Sequence, residues 1–151
     1  MDTSARLAPQ FGIVTLGVAD LDRSIRFYRD LGWEQRGDAA QGITWFQTSG
    51  TWIGLFGYAE LAQDAGLSAT APGELPAYRG ITLAINLDSR ELVDEAFAVV
   101  AEVGGTVVKP AEATEWGGYS GYFADPDGHL WELAHNPFFP IDEHGRIEIP
   151  A

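Results

Sequence analysis

The chain contains no cysteine. That excludes disulfides, thiolate metal sites and cysteine nucleophiles together, and it fits a reducing compartment, so a cytoplasmic protein is expected. Basic residues are scarce: nine Lys and Arg stand against 22 Asp and Glu, a net charge of −13. Such a chain repels phosphate, so neither nucleic acid nor an anionic membrane is an expected partner, whereas a cationic ligand would be attracted. Acidity also aids solubility, the alternative reading of the same charge. No run of apolar residues approaches the roughly 18 of a membrane span. Residues 1–10 lack the apolar stretch of a signal peptide and read as a flexible arm. Histidine is confined to His129, His135 and His144.

What is present suits one domain of 151 residues. Val14, Leu16 and Val18 alternate with Ile13, Thr15 and Gly17, the period of a half-buried strand. Asp20 then stands as an N-cap before a helix with Leu21, Ile25, Tyr28 and Leu31 on one stripe, and Gly32 ends it. Residues 42–48 and 51–58 read as strands joined by a Ser49-Gly50 turn. Residues 59–79, with Pro72-Gly73, form a connector that is long for a plain loop and has room for a short helix or a lid. The pattern then returns. Leu83, Ile85 and Leu87 mark a strand, Asp88 or Ser89 caps a helix over about 90–103, and Gly104-Gly105 ends it. A strand starts at Thr106, and strands over 119–124 and 129–135 flank the turn Asp125-Pro126-Asp127-Gly128, whose Pro and Gly positions suit type I.

Each half therefore reads β, α, then three strands. Val18 overlays on Leu87, Gly32 on Gly104 and Gly50 on Gly128. One half leaves a sheet face uncovered, so two must combine to close a core. The expected class is α+β: two βαβββ modules over about 11–58 and 80–137, with curved mixed sheets enclosing a cavity. A tail follows over 138–151.

The stretch from Val14 to Tyr28, VTLGVADLDRSIRFY, and the stretch from Gly117 to Leu133, GGYSGYFADPDGHLWEL, together resemble the opening and closing signatures of vicinal-oxygen-chelate proteins, the glyoxalase, bleomycin-resistance and dioxygenase superfamily. The resemblance covers roughly residues 11–137. It implies a small-molecule cavity between the two sheets. In active members it also implies a divalent metal held by a His on the first strand of each half and a Glu on the last strand of one or both. There the metal acts as a Lewis acid on a chelating substrate.

Carried over, those positions fall on Ile13, on Thr82 (Ile81 if the register slips), on Gly54 and on Glu132. Only Glu132 is a good ligand, since Ile and Gly offer no donor and a Thr hydroxyl is a poor one. His129 and His135 lie three residues either side of Glu132, so in a strand both point to the other face. No metal ligands are therefore assigned and no cofactor is expected. A metal remains open only if another subunit completes the site.

By parity, the wall of the cavity carries Thr15, Trp52, Gly54, Phe56, Thr82, Ala84, Asn86 and Glu132, with small residues at Gly17, Gly54, Ala84 and Ala134 leaving room. Trp45, Trp116, Tyr119 and Tyr122 would frame it, Trp116 from a Gly-rich loop at its mouth. Each aromatic has an alternative role in ordinary core or dimer packing. Glu132 is either a carboxylate that binds a cation or acts as a general base, or an inherited acid satisfied by Thr15, Thr82, a tyrosine or water. Two function classes follow. One is a metal-free protein that sequesters an aromatic or cationic molecule, as the bleomycin-resistance type does. The other is a glyoxalase- or dioxygenase-type lyase or isomerase using Glu132. The apolar Phe138-Phe139-Pro140 stretch points to a homodimer.

Overall fold

A computed structural model describes residues 6–151. The arm expected over 1–10 thus lies partly outside the described residues, and residues 6–10 are exposed. Strand β1 (Ile13–Val18) leads into helix α1 (Leu21–Asp30), then β2 (Gln35–Arg36), β3 (Ile43–Gln47) and β4 (Trp52–Gly57). Helix α2 (Tyr58–Asp64) and a 3-10 turn at Pro72–Glu74 occupy the connector. The second half runs β5 (Leu83–Asn86), α3 (Arg90–Glu102), β6 (Thr106–Ala113), β7 (Tyr119–Ala124) and β8 (Leu130–His135).

The helix boundaries follow from caps. The Asp20 side chain accepts from the Arg23 backbone N–H, and Ser89 accepts from that of Leu92, satisfying donors that the first turn leaves free. Gly32 and Gly104 follow the helices at φ +94° and +99°, values that favour glycine. Two departures from the sequence reading have local causes. The strand read as ending at Tyr58 stops at Gly57, because Tyr58 opens α2. The second strand of the first half has only two residues, too short for any alternation to show.

The halves form two four-stranded sheets, ordered β1-β4-β3-β2 and β5-β8-β7-β6, neither of them a closed barrel. In each, the first strand pairs in parallel with the last and the remaining pairs are antiparallel. The helix-bearing faces of both sheets share one core. Leu16, Ile53 and Leu55 from the first join Phe123, Trp131 and Leu133 from the second, with Phe27 and Tyr28 of α1 among them. Phe27 meets Phe123 with ring centroids 6.4 Å apart, and Tyr28 meets Trp131 at 6.1 Å. The duplicated unit thus buries its apolar faces against its own copy, as the pattern requires.

A polar cluster fastens the halves at one end. Asp125 lies in the turn before β8 and is 3% exposed. Its carboxylate accepts from the backbone N–H groups of Asp127 and His129, both at 2.9 Å, and from the Tyr28 hydroxyl at 2.7 Å. Tyr28 in turn accepts from Trp131 Nε1. The Asp127 carboxylate reaches the start of α1, accepting from Ala19 N, Ser24 Oγ and Arg23. An acid there also complements the positive end of the helix dipole. His129 Nε2 lies 2.7 Å from Gly17 O, and Arg79 lies 3.2 Å from His129 Nδ1. Arginine can only donate, so Nδ1 accepts and Nε2 carries the hydrogen that Gly17 O receives. The Asp-Pro-Asp-Gly turn therefore works as an inter-module fastener.

Candidate functional site

Because the two sheets share a core on their helix-bearing faces, their other faces turn away from it. Residues paired across neighbouring strands point to the same face. On the first sheet this outward face carries Ile13 beside Trp52, then Thr15, Gly54 and Trp45 in one row, then Gly17, Phe56 and Ile43 in the next. On the second it carries Ala84, Glu132 and Tyr122 in one row and Asn86, Ala134 and Ser120 in the next. Thr82 precedes this face and is exposed.

The centre of the second face is an acid–phenol pair. Tyr122 donates to Glu132 Oε2 at 2.7 Å, both residues being half-buried. Of the partners open to Glu132, a tyrosine is thus the one that satisfies it. The same hydrogen bond, more than burial or the nearby charge, raises the Tyr122 phenol above its ordinary value. Replacing Glu132→Gln removes the charged acceptor, so Tyr122 should ionise at lower pH, nearer the ordinary value of about 10. Ultraviolet titration at alkaline pH, with Tyr122→Phe identifying the signal, checks this.

Lys109 and Glu112 also reach this region, as the partners of Tyr122 and Ser120 in the β6–β7 pairing, and they form an ion pair at 3.0 Å. Parity did not find them. Two register shifts in β6 break the alternation on which such counting depends. The pair is largely exposed, so it adds little to stability.

Trp116 folds back over Gly118, where any side chain would collide with the indole, and so stands at the end of the row leading to Ser120 and Tyr122. Tyr119 does not join it. It lies three residues from Tyr122 in one strand and therefore faces the other way, with its hydroxyl on Asp94 at 2.7 Å and Arg90 over its ring. The room expected at Gly17 is also taken: a methyl group there would meet Tyr58 of α2 at 3.0 Å. Gly54 is hemmed in similarly by Thr15 and Trp45. Phe56 instead lines a hollow of about 680 Å³ beyond the end of β4, walled by α2 and by Ala69–Pro72 of the connector. The connector thus supplies both a short helix and a wall. Thr82, Ala84 and Asn86 border a separate cleft, beside Trp33 and Trp131.

The donor set that the resemblance would offer a metal is Ile13, Gly54, Thr82 and Glu132. It does not fit a transition metal, since it contains one carboxylate and no imidazole. Among the described residues no three His, Cys, Asp or Glu side chains come together as a metal site. His129 and His135 are engaged by the backbone carbonyls of Gly17 and Leu87. Among the described residues no helix is long and apolar enough to cross a membrane.

Comparison with known proteins agrees with this architecture. A structure described as a glyoxalase-related enzyme from Fulvimarina pelagi is 32% identical, covers 95% of this chain and 100% of its own, and superposes with a TM-score of 0.84. A glyoxalase/dioxygenase from Nostoc punctiforme is 28% identical over 90% of this chain and 99% of its own, with a TM-score of 0.66. A glyoxalase/bleomycin resistance protein/dioxygenase from Nocardioides is 26% identical over 87% and 86%, with a TM-score of 0.71. The family model described as Glyoxalase/Bleomycin resistance protein/Dioxygenase superfamily matches residues 10–133, which span both modules and the fastening turn. With its paired βαβββ modules and its two signatures in order, the chain belongs to that superfamily.

Proposed function

We propose that this chain binds a small aromatic or cationic molecule on the outward face around Glu132 and Tyr122, without a tightly held metal. One observation carries the reading: Glu132 is held by the Tyr122 phenol at 2.7 Å, while Ile13, Gly54 and Thr82 offer no companion ligands. Trp116, at the end of the row of Ser120 and Tyr122, supplies flat apolar surface, and Glu132 supplies a charge that a cation can neutralise; Trp45 and Trp52 lie on the other sheet's outward face and take no part. The net charge of −13 draws such a ligand in. The binding unit is a homodimer in this reading. Phe138 and Trp116, 63% and 50% exposed, flank the Gly117-Gly118 turn and give a second copy an apolar patch to cover.

The alternative class is a lyase or isomerase in which Glu132 takes a proton from substrate while Tyr122 holds the carboxylate in place. The acid–phenol pair favours it, and so does the relative described as a glyoxalase-related enzyme. Two measurements separate the readings. Elemental analysis of protein purified without chelators should find zinc, nickel, iron and manganese well below one per chain. Dialysed protein should show tryptophan quenching with a cationic aromatic antibiotic, and Glu132→Gln should weaken that binding about tenfold, the scale of losing a charge-assisted contact. Stoichiometric metal would overturn the metal-free reading. An absence of response across a broad antibiotic panel would remove sequestration.

A further inference from the structure

The pseudo-twofold relation between the modules gives the seam two equivalent ends that have been finished differently. At one end the turn before β8 places Asp125 and Asp127 against α1. At the other, the equivalent turn before β4 is Thr48-Ser49-Gly50-Thr51, with no carboxylate to reach across. A cleft of about 650 Å³ remains there, between the first sheet and the edge strand β5. Its walls include Trp33 and Trp131, whose rings meet edge to face at 5.6 Å, together with Phe11, Ile53 and Ile85.

The C-terminal tail borders this cleft through Gly145, Arg146 and Ile147. The tail forms a small hairpin in which Ile141 bridges Ile147 and the Asp142 carboxylate accepts from the backbone N–H of Arg146 at 2.9 Å. Arg146 Nε donates to Ser49 O at 3.2 Å, which anchors the guanidinium over the turn. Among the described residues Arg146 forms no direct ion pair, although its charge helps to hold the Asp142 carboxyl of the same hairpin below its ordinary value. A fixed cation with its terminal nitrogens open, set at an aromatic cleft, matches one chemistry.

We propose that this cleft binds an aromatic carboxylate, its ring against Trp33 and Phe11 and its carboxylate on the terminal nitrogens of Arg146. Arginine suits that role because its planar fork meets a carboxylate with two parallel hydrogen bonds. The cleft adjoins the Glu132 face along β5, through Ala84 and Asn86, but it contains neither Glu132 nor Tyr122, and it selects the opposite ligand charge.

The test compares three probes of one shape on the full chain: 2-naphthoate, its neutral carboxamide, and 2-naphthylmethylammonium. Calorimetry and tryptophan quenching should both rank the carboxylate first, about tenfold or more above the carboxamide. Arg146→Gln should erase that preference while leaving carboxamide affinity unchanged, and Arg146→Lys should keep part of it. Glu132→Gln should not alter naphthoate binding, which separates this site from the one proposed above. Equal affinity for naphthoate and carboxamide would overturn the proposal, and so would a preference that survives Arg146→Gln. Loss of carboxamide binding in both Arg146 variants would also overturn it, because Arg146 would then be holding the tail rather than the ligand.

Discussion

Replacing Asp125 with alanine is expected to cost about 3 kcal/mol or more of folding stability, on the scale of several buried polar groups losing a charged partner. Three donors depend on this carboxylate: the Tyr28 hydroxyl and the backbone N–H groups of Asp127 and His129. Tyr28 is fully buried, so its hydroxyl finds no water in exchange. The turn that carries Asp127 to α1 loosens as well, and the two halves lose their fastener. Urea unfolding of Asp125→Ala against the parent chain measures the loss, and an unchanged midpoint would mean that the cluster holds nothing.

The same group has a pH signature. Burial raises the Asp125 carboxyl above its ordinary value, against the opposing pull of His129 and of its hydrogen bonds. Its folded pKa thus lies above its unfolded one. The unfolded chain releases this proton first as the pH rises, so the group's contribution is greatest below the ordinary carboxylate value of about 3.9 and falls as the pH climbs through the folded value. Asp125→Asn should be less stable than the parent but should lack that acid-range decline. Unfolding midpoints taken from pH 3 to 7 distinguish the two curves.

Gly121→Ala is expected to destabilise by about 2–3 kcal/mol, the usual scale of forced overpacking. A Cβ at Gly121 would lie 2.6 Å from Lys109 O and 2.8 Å from Ala111 N, both backbone atoms that cannot swing aside. It would also meet Phe97 of α3 at 2.8 Å. The irregular part of β6 would have to move, taking Lys109 and Glu112 from their places opposite Tyr122 and Ser120. Chemical denaturation should show the loss, and ligand binding at the Glu132 face should weaken in the protein that still folds. A variant of parental stability would mean that β6 shifts freely.

Much of the architecture could be read before any coordinates, because its signals are local. Asp20 and Ser89 announce helix starts, Gly32 and Gly104 announce ends, and the repeated strand-helix pattern shows the duplication. Strand parity correctly put Thr15 with Gly54 and Glu132 with Ala84. It failed where the period of two was misapplied or broken. Tyr119 and Tyr122 cannot share a face, and the irregular β6 hid Lys109 and Glu112. The connector was given room for a short helix, but the start of α2 escaped because Tyr58 continues the aromatic run of β4, and its packing on Gly17 depends on tertiary structure. The role of the Asp-Pro-Asp-Gly turn was equally invisible. Its sequence specifies a turn, but its partner Ala19 lies 108 residues away.

The seam's unequal ends also decide how this chain would yield. Prised apart, the modules would pivot about the turn that bonds to α1, as a jaw pivots at its joint, and part first beside Ser49. The C-terminal hairpin sits on that lip through the Arg146 hydrogen bond and the packing of Gly145 on Ser49, so cutting the hairpin away would widen the gape and leave the joint whole.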